Sequence, residues 1–584
     1  MTAPEHPPST LSSPSQPPSI RSNCCWIPKL RSPSFQGIVT MRSIAALLLM
    51  LTAASLPAQD TSCQALLTRT GFTQRTSLPI GNCGDCHSGS TQSPRVAARL
   101  GNPGGSKWIR GDEILIWLGE TSVADASQTP APRDLSAVDR HAQAWTSLRS
   151  TTAEQMGLVL GKPGQLHRDR ACLACHTSLP VYNLECESDG LISAALESDV
   201  RLTSGVSCEG CHGTSGDAAT QGADLPNGWG TAHFALRNWR NMPPDEKCRH
   251  GYLDVRSVAS RTKICVSCHV GNAELGRVVT HEMYAAGHPP LPPFELQTFE
   301  QQMPKHWREY HEKPELLRQE FEAATGLKPA DPAEQQAREL LVSALITWSE
   351  SMKLTADLAE QKAPQELVRS EWPEFAQFDC YACHHDLRHD GWRQQAQIKG
   401  RPGRPRLIPW PATLAELAWN VTSSTPEAAA TPGIGLAEVR QATVSTPFGD
   451  TRELIKAARA AAASAEQIAS RLETSTLTPQ QQQAVTAGLL NAGTAATVDY
   501  DSARQIAWSW LLLNSATADE QQKLFPQLFL QLHQGRAESD PIPGSNETVT
   551  VIRIDPALSL PPIAGYDPQS FRAAFETIRK SQSE

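Results

Sequence analysis

The stretch GVSCEGCHG, Gly205 to Gly213, carries the pattern C-x-x-C-H at Cys208, Cys211 and His212. The same pattern recurs as CGDCH (Cys83, Cys86, His87), CLACH (Cys172, Cys175, His176), CVSCH (Cys265, Cys268, His269) and CYACH (Cys380, Cys383, His384). Ten of the 15 cysteines of the chain lie in these five copies. The Cys and His frequencies of the chain predict only about 0.01 such pentapeptides by chance, so the repetition is chemical in origin. Two intervening residues let two sulfurs reach the two vinyl groups of one porphyrin, and the next residue turns its imidazole onto the iron. Each copy therefore reads as a c-type haem attachment site with its histidine as proximal ligand. Five covalent haem c groups, with their iron, are expected. Zinc and iron-sulfur sites also use paired C-x-x-C units. Neither gives a reason for a histidine directly after the second cysteine in every copy.

An iron held by histidine on one side takes a second histidine, a methionine or nothing on the other, and that choice separates an electron carrier from a catalyst. The chain has 17 histidines. Setting aside the five proximal ones, His6 and His533 leaves ten between positions 141 and 389. The distal candidates are His141 in DRHAQAW, His167 shortly before the second motif, His233 in GWGTAH, and His281 and His288 in HEMYAAGHPPLP. His306 in MPKHW and His385, directly after a proximal ligand, complete the set. The His281-Glu282 pair does not open a zinc-protease motif, because Ala285 stands where the second histidine is needed. Met283 is a possible sulfur ligand, though beside Tyr284 it reads as packing.

At 584 residues the chain is too long for one hydrophobic core, and two or three compact units are expected. With 40% hydrophobic and 19% charged residues it falls among soluble globular proteins. A formal net charge of -9 leaves no general basic footprint, so nucleic-acid binding is not expected. Residues 1–40 are rich in Pro and Ser without periodicity and read as an untranslated or disordered leader. Residues 41–58 read as a cleavable signal peptide: Met41 and Arg42, the apolar run IAALLLMLTAA, and small Ala58 before Gln59. The run is too short for a permanent span, so no stable transmembrane segment is expected after cleavage, and the location is periplasmic or otherwise exported. Asp60, three positions before Cys63, argues against lipid attachment there. Cys63, Cys186 and Cys248 remain; two of them could pair, with Cys186 and Cys248 weakly preferred and the connectivity open.

Residues 59 to about 130 are rich in Gly, Pro and Ser and read as loop with short helices. Asp331-Pro332 opens a helix that runs to about Lys362, before Pro364. The break KGRPGRPRLIPWP follows, and no cysteine occurs beyond it. Helical spacing of apolar residues then marks Thr451 to about Leu472, a segment from Thr478-Pro479, Tyr500 to about Leu513, Thr517 to about His533, and Asp567-Pro568 to about Lys580. The organisation expected is a pentahaem module over 59–395 and an α-helical C-terminal domain over 396–584.

GVSCEGCHG, with CVSCHVG (Cys265 to Gly271) and HEMYAAGHP (His281 to Pro289), resembles the cytochrome c-554 family, multihaem carriers associated with hydroxylamine oxidoreductase. The DxHxxAW element (Asp139, His141, Ala144, Trp145) and FDCYACHHDLR (Phe378 to Arg388) are similar to elements of larger exported relatives. The resemblance covers residues 80 to 395. It implies a mainly α fold with little sheet, haems stacked in close pairs, and histidine as second ligand at most irons. It carries a distal role to His141 and to one or both of His281 and His288. The chain departs from the family in having five attachment motifs where the namesake has four, and in its long C-terminal segment. The function expected is an exported pentahaem electron carrier serving redox partner proteins, with no catalytic residues of its own. The alternative is a multihaem oxidoreductase acting on a small nitrogen or sulfur compound at one five-coordinate haem. No C-x-x-C-K motif of the nitrite-reductase kind occurs.

Overall fold

Short helices that end on a histidine alternate with glycine-bearing loops through the first half of the molecule, and long amphipathic helices fill the second half. The computed structural model describes residues 74–87, 113–118, 139–384, 403–423, 433–515, 523–528, 536–553 and 566–581, apart from 222, 237, 240–241, 326–330, 366, 369–370, 496–497 and 527. The leader, the signal segment, Cys63, His385 and most of the helix expected over 517–533 lie outside the described residues. Among the described residues no helix is long and apolar enough to cross a membrane.

Four of the five motifs sit on helices: α1 (Gly81–His87), α2 (Arg170–His176), α3 (Cys208–His212) and α4 (Val258–His269). The sequence dictates where two of these begin. Asp169 caps α2 by accepting from the backbone N–H of Ala171 at 3.0 Å, and Ser257 caps α4 by accepting from Ser260 at 3.1 Å. Gly213 ends α3 at φ +85°, where a Cβ would meet the Gly251 carbonyl oxygen at 2.2 Å, so only glycine closes this motif. Between α2 and α3, β1 (Cys186–Ser188) and β2 (Leu191–Ile192) form a small antiparallel pair. After α4 comes α5 (His281–Ala285), capped by Thr280. The fifth motif lies on a 3-10 turn, Cys380–Ala382, capped by Asp379.

The longest helix, α6 (Pro332–Ala359), begins at the Asp331 cap with proline in the first turn, as its sequence requires. It is buried on nearly every side: Leu340, Leu341, Val342 and Leu345 are all 0% exposed. A helix apolar all round is the centre of a bundle. Around it lie α4, α7 (Trp410–Thr422), α8 (Leu436–Ser445), α9 (Thr451–Glu473), α10 (Pro479–Gly493) and α11 (Tyr500–Leu513). Polar groups lock the arrangement. Ser349 donates to the Ala462 carbonyl at 3.0 Å, Trp348 Nε1 to that of Ile434 at 2.9 Å, and Lys353 pairs with Glu466 at 2.8 Å. Glu473, at the end of α9, accepts from Ser257 Oγ at 2.9 Å and Ala259 N at 3.1 Å, which holds the start of the motif-bearing α4. One hydrophobic core thus extends from Val258 to Ile578.

The C-terminal segment closes with an antiparallel hairpin, β3 (Arg536–Pro541) and β4 (Thr548–Arg553), and with α12 (Pro568–Ser581). Asp540 on the hairpin accepts from the backbone N–H of Thr152 at 3.0 Å, at the start of helix Thr151–Val159, where a negative charge is favourable. Thr550 N donates to Gln143 at 3.2 Å.

The mainly α fold with little sheet is as expected, and the helices from Asp331, Thr451, Thr478, Tyr500 and Asp567 begin within a residue of their expected starts. Helix α7 was not expected: it starts on the last two residues of the stretch read as a break, because Pro411 sits in the first turn, where a missing N–H costs nothing. The hairpin had a sequence signal in TVTVIR, whose Val549 and Val551 face a small core with Ile542. The weakly preferred Cys186–Cys248 bond is corrected: Cys248 is in a disulfide, whereas Cys186 is a free, exposed thiol. Cys186 lies in a strand pair directed to solvent, and its geometry answers to β2, not to the helix Pro244–Arg249 that carries Cys248.

Candidate haem sites

The chemistry of a haem ligand starts from which imidazole nitrogen is left free. A carbonyl or carboxylate oxygen can only accept, so a histidine whose Nδ1 meets one must carry its proton there and present Nε2 bare. Among the proximal candidates, His176 Nδ1 donates to the Ala144 carbonyl at 2.6 Å and His87 Nδ1 meets Glu113 Oε2 at 3.0 Å. Among the distal candidates, His141 Nδ1 meets Asp139 Oδ1 at 2.9 Å, His233 the Trp229 carbonyl at 2.8 Å, His288 the Pro289 carbonyl at 2.8 Å and His306 the Pro304 carbonyl at 3.3 Å. Such anchoring fixes ring orientation and tautomer, as the outer shell of a metal site does. The Nδ1 of His212 is buried and has no hydrogen-bond partner among the described residues.

The fold then brings candidates face to face. The ring centroids of His141 and His269 are 6.2 Å apart with planes at 86°, and those of His281 and His384 are 6.1 Å apart with planes at 27°. Metal-to-imidazole bonds of about 2 Å on either side of one iron put ring centroids about 6 Å apart, so both pairs have the separation that a single iron demands. Three further pairs are near enough for their charges to interact: His233 with His87, His288 with His176, and His212 with His306. His167 is placed differently. Its ring lies edge-on to Trp145 and its Nε2 is 3.6 Å from Glu197, in an ion-pair position rather than facing a motif.

Protonation states agree with ligand duty at several of these positions. Burial pushes His288 and His212 down to about 4, with the neighbouring histidine in each case adding to the effect. Burial also lowers His176 and His233. These rings are neutral near pH 7, as iron ligation requires. At His141 burial works against the charged form, but the hydrogen bond and charge of Asp139 outweigh it and the net shift is upward.

The motifs also touch one another. The Cys83 and Cys208 thiols lie close enough to interact, as do those of Cys175 and Cys268, which brings the first motif to the third and the second to the fourth. Cys211 in turn interacts with Cys265 and Cys268, linking third to fourth. Residues between the paired cysteines take part. Glu209 is 3% exposed and accepts from Leu78 N at 3.0 Å and Ser215 N at 2.9 Å, which ties the approach to the first motif onto the third. Sequence reasoning passed over Glu209 and Glu113, whose partners lie far along the chain. The role of Asp139 was signalled only by its place two residues before His141.

The residues fit haem better than the zinc alternative. Among the described residues no group of three or more His, Cys, Asp or Glu side chains gathers to hold a bare metal ion. Residues 136–213 match the family model of cytochrome c554 and c-prime, a span that takes in His141 and the second and third motifs. No curated protein and no solved structure matches the chain.

Proposed function

We propose, for a chain that is of cytochrome c554 type over residues 136–213, that it is an exported pentahaem c-type cytochrome whose work is electron transfer between redox partner proteins. Cys83, Cys86, Cys172, Cys175, Cys208, Cys211, Cys265, Cys268, Cys380 and Cys383 would hold the five haems through thioether bonds, with His87, His176, His212, His269 and His384 as proximal ligands. The observation that carries the reading is that two proximal histidines have a candidate distal histidine at iron-bridging separation, His141 with His269 and His281 with His384; His233, His288 and His306 interact electrostatically with His87, His176 and His212 and are the candidates for the other three. Haem, when bound, supplies a one-electron Fe(III)/Fe(II) couple. The chain supplies orientation and an imidazole on each side. Two protein ligands per iron leave no coordination position for a substrate, which favours carrier over enzyme.

Contacts between motifs support a path in the order first, third, fourth, second. The fifth motif joins at the second, because His281 and His288 lie on one short segment, the first facing His384 and the second interacting electrostatically with His176. Cys380 and Cys383 are exposed, so this end of the path is open to a partner.

The test is a carbon monoxide difference spectrum of the reduced protein, normalised to haem. Absence of binding is expected, since carbon monoxide needs a free iron position. Binding at about one haem in five would overturn the carrier reading in favour of an enzyme with a five-coordinate haem.

A further inference from the structure

The loop that follows the fourth motif doubles back under it. Asn272 and Arg277 exchange backbone hydrogen bonds of 2.8 and 2.9 Å, Asn272 Oδ1 accepts from Leu275 N at 2.9 Å, and Gly276 turns the chain at φ +63°. This turn delivers the Arg277 side chain to an interior position where it is 8% exposed. There Nε donates to the Ala174 carbonyl at 2.9 Å, inside the second motif, and Nη1 donates to Ser267 Oγ at 2.6 Å, inside the fourth. Cys175, Cys268, Cys211 and the Tyr182 phenol surround the guanidinium. Tyr182 already donates to the Leu275 carbonyl at 2.6 Å.

Thiols could compensate a buried cation by ionising, but a cysteine joined to a porphyrin is a thioether and carries no charge. A guanidinium stays protonated even when buried. In the haem-loaded protein Arg277 is therefore a fixed positive charge at the junction of the second and fourth motifs, shielded from salt by the surrounding protein. Reduction removes one positive charge from an iron, so a fixed cation nearby favours the reduced state.

We infer that Arg277 is a positioning residue for electron transfer, which holds the haems of the second and fourth motifs at higher potential than they would otherwise have. This rests on the pentahaem reading above. The experiment uses the full-length haem-loaded chain with Arg277→Gln and Arg277→Lys, measuring haem per protein and then a spectroelectrochemical titration of each. With glutamine, two of the five haems are expected to show a Fe(II)/Fe(III) ratio at least tenfold lower at a fixed potential, while three are unmoved. With lysine, titrated at a pH low enough to keep the buried ammonium protonated, the charge is kept and all five should stay within about threefold of wild type. A glutamine variant with full haem and unshifted potentials overturns the inference, as does a uniform shift of all five. If the glutamine variant does not load haem, the lysine variant decides: a fall at two haems despite the retained charge overturns the inference, and wild-type potentials sustain it. A wild-type chain with other than five haems would fail the pentahaem reading itself, before any variant is compared.

Discussion

Replacing Asp139 with asparagine isolates one ligand bond in the proposed set. The carboxylate is 3% exposed, and its Oδ1 lies 2.9 Å from His141 Nδ1 and 3.0 Å from the His141 backbone N–H. An amide at the same place keeps the shape but loses the charge. A hydrogen bond to a charged group is worth roughly 1.5–3 kcal/mol, and outer-shell partners of metal-binding histidines typically change metal affinity by about 10–100-fold. The anion makes the imidazole more basic and favours the more positive Fe(III) state, so its removal weakens the oxidised form. If that loss falls wholly on Fe(III), the potential of the haem on the fourth motif rises by about 60–120 mV, at about 59 mV per tenfold for one electron. The assay is a potentiometric titration followed in the visible spectrum, with wild type beside Asp139→Asn. One of five components should move upward and four should hold. A downward shift, no shift, or a shift of all components together would refute the assignment of His141 to the iron of His269.

The two measured ring pairs should be distinguishable by electron paramagnetic resonance of the oxidised protein. Planes at 86° leave the iron dxz and dyz orbitals nearly degenerate, so the fourth-motif haem should give a large-gmax low-spin signal, whereas planes at 27° should give the fifth a rhombic one; an all-rhombic spectrum would contradict the His141–His269 geometry. His288→Ala should open the iron of the second motif and let the reduced protein bind carbon monoxide at about one haem in five, and a variant that binds none would mean that His288 is not its ligand. Leu345→Ala, in the 0% exposed centre of α6, should cost about 3–5 kcal/mol in chemical denaturation, with a loss under about 1 kcal/mol counting against α6 as the bundle axis. Burial raises Glu300 to about 7, with Glu339 adding and Arg261 opposing, so the folded chain keeps a proton that the unfolded chain releases near about 4.3. Stability should therefore fall as pH rises from about 4 to about 7, by roughly 4 kcal/mol at most, and Glu300→Gln should flatten that slope; equal pH dependence in both proteins would count against it.

The long C-terminal segment takes its meaning from packing. Its helices cover α6, and Glu473 and Asp540 reach back to cap helices of the motif-bearing region. The sequence indicated most of these helices through their caps and apolar spacing, because Asp331, Thr478, Asp499 and Asp567 act on backbone groups two or three residues away. It could not indicate that α4 and α9 share one core with α6, since an apolar helix face carries no label for its partner.

The proposed attachment sites rest on equally local sequence. Five consecutive residues contain both sulfurs and the proximal imidazole, and the geometry of one helical turn does the rest. The distal side is a long-range matter. His141 faces His269 and His281 faces His384, although each pair is separated by much of the haem region. His167 stands as close to a motif in sequence as any candidate, yet it pairs with Glu197. Sequence alone set the proposal of how many irons the chain would hold and on which cysteines. Only the tertiary structure decided which histidine stands opposite which, because an iron selects ligands within a few ångströms of itself and distance along the chain has no bearing on that reach.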